Sequence, residues 1–174
     1  MITSLPIQLQ LSPSYGVTVG DYDHDGNLDA LIVGNSYATE VSTGRYDASI
    51  GSFLRGDGKG KFTHVPTLKS GFMVDQDAKG LASLNAADGS ELILSGVNNG
   101  KLKIHRANST GKYYAPSSSD AYAIIILKNG AQYKHEFYFG STYLSSSSRK
   151  LRLSNNVSEL TVYTFAGEKK TVKP

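Results

Sequence analysis

Apolar residues in this chain either alternate with polar residues or form short continuous runs, which are the patterns of half-buried and buried β-strands. No segment shows a helical period. The pattern therefore predicts an all-β protein. The predicted strands cover residues 7–11, 15–19, 30–33, 52–54, 61–63, 78–84, 91–97, 102–106, 121–127, 132–139, 151–153, 159–165 and 170–172.

Turn residues separate these strands and divide the chain into units. Glycine-containing turns at 56–60, 87–89, 98–100 and 128–130 favour hairpins. The stretch 109–119 is rich in Ser, Gly, Tyr and Pro, and we interpret it as a linker between units at 1–108 and 120–174.

The strand and glycine-turn pattern recurs within residues 1–108, which is typical of propeller blades. At about 40–50 residues a blade, this unit has room for one to two blades. The predicted fold is thus an incomplete β-propeller of one to two blades, followed by a small antiparallel β domain.

Composition narrows the classes of partner. The 174 residues include no cysteine, which excludes disulfides and thiolate metal sites. Neither a membrane span nor a secretory signal is recognisable. Residues 111–174 carry 9 Lys and Arg against 4 Asp and Glu. Because basic charge without a motif is weak evidence, we expect solvated faces and no nucleic-acid partner.

Acidic residues alternate between two predicted strands, in the spacing D-x-D-x-D-G-x-x-D. The predicted ligands of a cation are Asp21, Asp23, Asp25, Asp29 and the backbone carbonyl of Asn27. Alternate residues of a tight loop can direct oxygens inward, and Gly26 permits the turn. Calcium takes six to eight oxygen ligands, so the loop predicts a calcium site.

Two related sites are disfavoured. An EF-hand has a bidentate Glu three residues after the last acidic position, where this chain has Ile32, and its flanks are helices. Magnesium retains several waters in an octahedral shell and suits this loop less well. We expect His24 to point outwards.

The remaining titratable residues form no catalytic pattern. Asp47 is a distant ligand or an ion-pair partner of Arg45, and Asp57, Asp75 and Asp77 fit turn or cap roles. The histidines are scattered and lack a nucleophile in triad-like order. We therefore expect that the chain is not an enzyme.

The loop and its flanks resemble a known repeat. Gly20-Asp21-Tyr22-Asp23-His24-Asp25-Gly26-Asn27-Leu28-Asp29-Ala30-Leu31 is similar to the FG-GAP/VCBS repeat, the propeller repeat that carries calcium in integrin α subunits. The tract 51–62 resembles the hairpin that closes such a repeat. Residues 44–49 and 120–165, especially 138–145 with Arg149, resemble bacterial surface proteins of the ASPIC/UnbV type.

This resemblance implies an extracytoplasmic location, at the cell surface, in the periplasm or secreted. It also implies calcium ligation by the five residues of the loop, and a non-catalytic binding or adhesion module for a protein or glycan ligand. The alternatives are a purely structural, calcium-stabilised domain of a larger surface protein, or part of a glycan-processing enzyme. Since a partial propeller exposes a blade edge, we also expect self-association.

Overall fold

The computed structural model describes residues 4–110, 112–141 and 145–174, and it confirms the all-β class. The described residues form four antiparallel sheets, with one short α-helix, α1 (Thr67–Ser70). The strands of the first two sheets are β1 (Ser14–Gly20), β2 (Asp29–Gly34), β3 (Ser52–Gly56), β4 (Phe62–Val65), β5 (Ala78–Asn85), β6 (Ser90–Val97) and β7 (Lys103–Thr110). The remaining strands are β8 (Lys112–Tyr114), β9 (Asp120–Leu127), β10 (Gln132–Glu136), β11 (Leu151–Leu153), β12 (Val157–Thr164) and β13 (Lys169–Val172).

The first sheet has the order β1-β2-β3-β4, the four-stranded meander of a propeller blade. The second sheet, β5-β6-β7, packs against it through an apolar cluster: Leu31, Val33, Phe72, Val74, Ala78, Leu81 and Ile93. The backbones approach closely at Gly16, where an added Cβ would lie 2.7 Å from the Cβ of Leu81. Glycine is therefore required where β1 crosses β5.

The C-terminal sheet has the order β10-β9-β12-β13. Alternate residues of its central strands β9 and β12 form the core, together with Phe137 and Leu151. Asp120 is fully buried beside this core, where it accepts hydrogen bonds from Tyr114 Oη (2.6 Å) and Lys170 Nζ (3.0 Å). These bonds outweigh the burial that would raise the pKa of Asp120, and they hold it at about 2.

A serine-rich segment joins the C-terminal part to the second sheet. Ser148 N–H donates to Ser83 O (2.7 Å), and Ser83 N–H donates to Ser147 Oγ (2.9 Å). The segment therefore satisfies backbone groups at the edge of β5. This segment thus connects two units that are distant in sequence.

The predicted strand at 7–11 is wrong. Residues Ile7–Leu9 form a short 3₁₀ helix, in which Gln10 N–H donates to Ile7 O (2.9 Å). Leu9 packs on the outer face of the first sheet, against the cluster of Ala30, Ile32 and Leu54. No described strand pairs with this segment, so alternation alone did not produce a strand.

The stretch interpreted as a linker, 109–119, is partly strand. β7 runs to Thr110, and β8 pairs with β11, with Tyr113 opposite Arg152. Gly111 lies outside the described residues. β8 contains no aliphatic residue and gave no periodic signal in the sequence, whereas its partner β11 was predicted as a strand at 151–153.

Candidate metal centre

The acidic loop joins β1 to β2, and its own side chains organise its backbone. Asp25 N–H donates to Asp23 Oδ1 (3.2 Å), Asn27 N–H to Asp25 Oδ1 (2.8 Å), and Gly26 N–H to Asp21 Oδ2 (3.2 Å). Gly26 has a φ of 92°, the left-handed conformation that favours glycine. The loop thus turns sharply around its acidic residues.

Three of the predicted ligands form a cluster. Asp21, Asp23 and Asp29 each offer a carboxylate oxygen, and these oxygens lie within 4.8 Å of one another. This separation allows several carboxylates to share one hard cation. The structure therefore brings together residues that are eight positions apart in the sequence.

Asp29 is fully buried and its carboxylate position is well defined. Its Oδ2 accepts hydrogen bonds from Tyr22 N–H (2.9 Å) and Asp23 N–H (3.3 Å). Its Oδ1 accepts from Gly56 N–H (2.9 Å) on β3. The backbone of a second hairpin thus fixes Asp29.

The surroundings of Asp21 test whether the site suits a metal ion. Its Oδ1 is buried and has no hydrogen-bond partner among the described residues. A buried carboxylate oxygen without a partner is unfavourable unless a cation compensates it. The residues present therefore fit a hard, oxygen-ligated cation such as calcium.

The pKa shifts within the cluster also favour a bound cation. Burial raises the pKa of Asp29 to about 6, although hydrogen bonds from Gly56 and Tyr22 oppose the shift. Burial also raises the pKa of Asp21. The nearby His24 opposes this shift, whereas the negative charges of Asp25 and Asp23 increase it. Without a cation the charged forms of these groups are unfavourable, so a cation would stabilise the loop.

Asp25, another predicted ligand, lies outside the cluster of three carboxylates. Asp25 is exposed, and its Oδ1 accepts the bond from Asn27 N–H. The Asn27 side chain lies against the β3–β4 turn, where a Cβ at Gly58 would collide with Asn27 Oδ1. The ligand roles of Asp25 and of the Asn27 carbonyl remain predictions.

Residues from other elements surround the loop and were not predicted from the sequence. Arg55 Nη1 lies 3.9 Å from Asp23 Oδ2. Arg152 Nη1 contacts the ring nitrogens of His24, which therefore faces the C-terminal part. Gly26 also approaches this part, since an added Cβ would lie 3.6 Å from Leu127 Cδ1. In the sequence, the glycine-rich turn at 56–60 was the one feature that could have indicated these neighbours of the loop.

The weaker candidates lie elsewhere. Asp47 forms an exposed ion pair with Arg45 (2.7 Å). Asp57 accepts bonds from Lys59 N–H and Lys61 N–H, as its predicted turn role requires. Asp77 is buried, and its Oδ1 lies 2.7 Å from Lys79 Nζ. Asp75 pairs with Lys103.

Two histidines contact aromatic rings at separate places. His105 packs on Phe72, with the ring centroids 4.9 Å apart, and its pKa is lowered by burial. His135 packs on Phe137, and burial lowers its pKa as well.

Comparison with known proteins identifies one repeat. Residues 14–53 match the model of the FG-GAP repeat, which is less than a quarter of the chain. No curated protein matches the sequence. Within the described residues, no helix has the length and apolar character needed to cross a bilayer.

The matched segment contains β1, the acidic loop, β2 and the first residues of β3. FG-GAP repeats typically occur in extracellular or surface proteins, and in general they bind calcium and mediate protein interactions. The carboxylate cluster therefore lies within the segment that matches the FG-GAP repeat, residues 14–53.

Proposed function

We propose that the chain is a calcium-binding, non-catalytic binding or adhesion module of an extracytoplasmic protein. The observation that carries this proposal is the cluster of Asp21, Asp23 and Asp29, with its buried and unpartnered Asp21 Oδ1, inside an FG-GAP repeat. We propose Asp25 and the Asn27 carbonyl as further ligands. The resemblance of residues 120–165 to ASPIC/UnbV domains belongs to the same proposal, and its residues 142–144 lie outside the described residues.

Calcium would act on the shape of the loop. An ion neutralises carboxylates that otherwise lie close together, and its coordination fixes the end of β1 and the start of β2. Because Asp29 also bonds Gly56, the same ion would hold the β3–β4 hairpin in place. The surface next to the loop would then be presented in one conformation.

Titration calorimetry with calcium and with magnesium tests the proposal. We expect calcium to bind the wild type, and Asp21→Asn to weaken binding at least about tenfold because one anionic ligand is lost. The matched control is Asp47→Asn, which removes an exposed carboxylate outside the cluster. This control should bind like the wild type.

Thermal unfolding provides a second readout. A ligand that binds only the folded state raises the melting temperature, and the stabilisation grows with the logarithm of the ligand's excess over Kd. Calcium should therefore raise the melting temperature and EDTA should lower it, with the shift absent in Asp21→Asn. If the wild type releases no heat with calcium and its melting temperature does not respond, the proposal is wrong.

A purely structural role for calcium is the second candidate. It is favoured by the contacts of the loop with the C-terminal part, namely Arg152 with His24 and Leu127 near Gly26. Under this alternative, calcium stabilises the packing of the two parts and no external ligand is bound. A binding screen with and without calcium separates the two candidates.

A further inference from the structure

A cleft of about 670 Å³ lies beside the acidic loop, between the first sheet and the C-terminal part. This volume falls within the roughly 300–1,000 Å³ range of ligand sites. Two strands line it: β1 along residues 17–20, and β10 along residues 133–136. Both are the outermost strands of their sheets, since among the described residues β1 pairs only with β2 and β10 only with β9.

The hydrogen-bond alternation shows which backbone groups of β1 face the cleft. Asp57 N–H donates to Lys61 O (3.1 Å), which identifies the bonded pairs between β3 and β4. Bonded and non-bonded pairs alternate along antiparallel strands, so the pattern can be followed from β3 through β2 to β1. It shows that Gly16, Thr18 and Gly20 exchange backbone hydrogen bonds with β2. The N–H and C=O groups of Val17 and Val19 are therefore directed away from the sheet.

The same reasoning applies to β10. Phe137 N–H donates to Ala121 O (2.9 Å), and Leu127 N–H donates to Ala131 O (2.8 Å). Residues Tyr133 and His135 therefore bond to β9, and the backbone groups of Lys134 and Glu136 point outwards. Two rows of backbone donors and acceptors thus border the cleft, and no strand among the described residues pairs with them.

The charges of the cleft are unbalanced. Lys134 and Glu136 pair with each other (2.6 Å), and Glu91 accepts a hydrogen bond from Ser83. Lys150 and Arg152 also line the cleft, and neither has a carboxylate within salt-bridge distance among the described residues. Since Asp21 is assigned to the metal cluster, the other charged residues that line the cleft carry a net positive charge.

We propose that this cleft binds an extended peptide segment carrying acidic side chains, which adds as a strand to β1, β10 or both. Unpaired strand edges bind extended peptides through main-chain hydrogen bonds, and side-chain pockets supply the specificity. The cations Lys150 and Arg152 would face the acidic side chains. A saccharide presents hydroxyl groups and ring faces, and it lacks the regularly spaced amide groups that match the two backbone rows. This inference rests on the proposed function and names the ligand class of the same module.

The test begins with a phage-displayed library of short random peptides, selected on the wild type in calcium. Enriched peptides are synthesised with a fluorescent label and titrated by anisotropy. Each is paired with a version in which Asp and Glu are replaced by Asn and Gln. We expect the acidic versions to bind more tightly, and Lys150→Gln to reduce this difference while Lys101→Gln, an exposed lysine away from the cleft, does not.

Val19→Pro tests the backbone directly. Proline has no N–H, and it is tolerated in an edge strand when that N–H points away from the sheet. The variant should therefore fold and bind calcium like the wild type, yet bind peptide about tenfold more weakly, as expected for the loss of one net hydrogen bond. Val19→Thr keeps the N–H and is the matched control, which should bind peptide normally.

The outcomes separate the two proposals. Equal peptide binding by Val19→Pro and Val19→Thr, or no enriched peptide, overturns strand addition. Calcium-dependent binding on a glycan array without peptide binding overturns it in favour of a saccharide, and leaves the proposed function standing. Absence of calcium binding by the wild type contradicts the proposed function itself.

Discussion

Asp29 is the carboxylate whose surroundings most strongly oppose its charge. Burial raises its pKa to about 6, although three backbone hydrogen bonds oppose the shift. A pKa above the ordinary value of 3.8 means that the folded protein binds the proton more tightly than the unfolded chain. Without metal, this contribution to stability is therefore fully present below about pH 4 and is lost as pH rises through about 6.

The predicted consequence is a pH dependence that calcium removes. In EDTA, Asp29 should make the protein more stable near pH 5 than near pH 7.5, because its carboxyl is still partly protonated at the lower pH. With saturating calcium, the bound ion compensates the charged form and this contribution should vanish. Melting temperatures at the two pH values, with and without calcium, measure the effect.

Asp29→Asn is the control for this prediction. Its amide carries no charge at either pH, so the apo variant should lose the part of the pH dependence that the wild type shows in EDTA. An unchanged dependence in the variant would assign the effect to another group, such as Asp21, whose pKa burial also raises.

Among the elements, β1 and β5 can cross closely because Gly16 has no side chain. An added Cβ at Gly16 would lie 2.7 Å from both the Cβ and the backbone nitrogen of Leu81. Backbone cannot move aside as a flexible side chain can. The packing of the first sheet on the second therefore requires glycine at this position.

Gly16→Ala should accordingly destabilise the protein by about 1–3 kcal/mol, the range for overpacking a close-packed site. Gly96→Ala is the matched control, because its added Cβ would have nothing nearer than 3.9 Å. Urea unfolding of both variants measures the difference. Similar midpoints for the two would show that the sheets can separate without cost.

For the whole molecule, the second sheet leaves an apolar face uncovered. Ile93 and Ser95 of β6 are buried, so Leu92 and Leu94 lie on the opposite face. Leu84 and Ile104, which pair with them, are 45% and 56% exposed. In a propeller, a following blade packs on this kind of face.

We therefore predict self-association through this face at micromolar concentration. Light scattering of the wild type should give a mass above that of the monomer, and Ile104→Asp should restore the monomer because a charge cannot be buried in the contact. Val41→Asp, at a fully exposed loop position, is the control and should leave association unchanged. A monomeric wild type would contradict the prediction.

Much of this protein could be predicted from sequence because its signals are local. The all-β class followed from alternation, and the strands that flank the acidic loop were correctly placed because turn residues and apolar runs mark them. The spacing of the acidic residues also identified the three carboxylates that the fold brings together, and the segment that matches the FG-GAP repeat.

The tertiary structure decided what depends on residues distant in the chain. Alternation at 7–11 predicted a strand, but without a partner that segment became a 3₁₀ helix. The bond from Gly56 to Asp29, the contact of Arg152 with His24 and the cleft between β1 and β10 join segments far apart in sequence. The loop sequence specifies carboxylates that suit a cation, because neighbouring residues share a turn. Long-range packing determines how deeply those carboxylates are buried and which surface lies beside them.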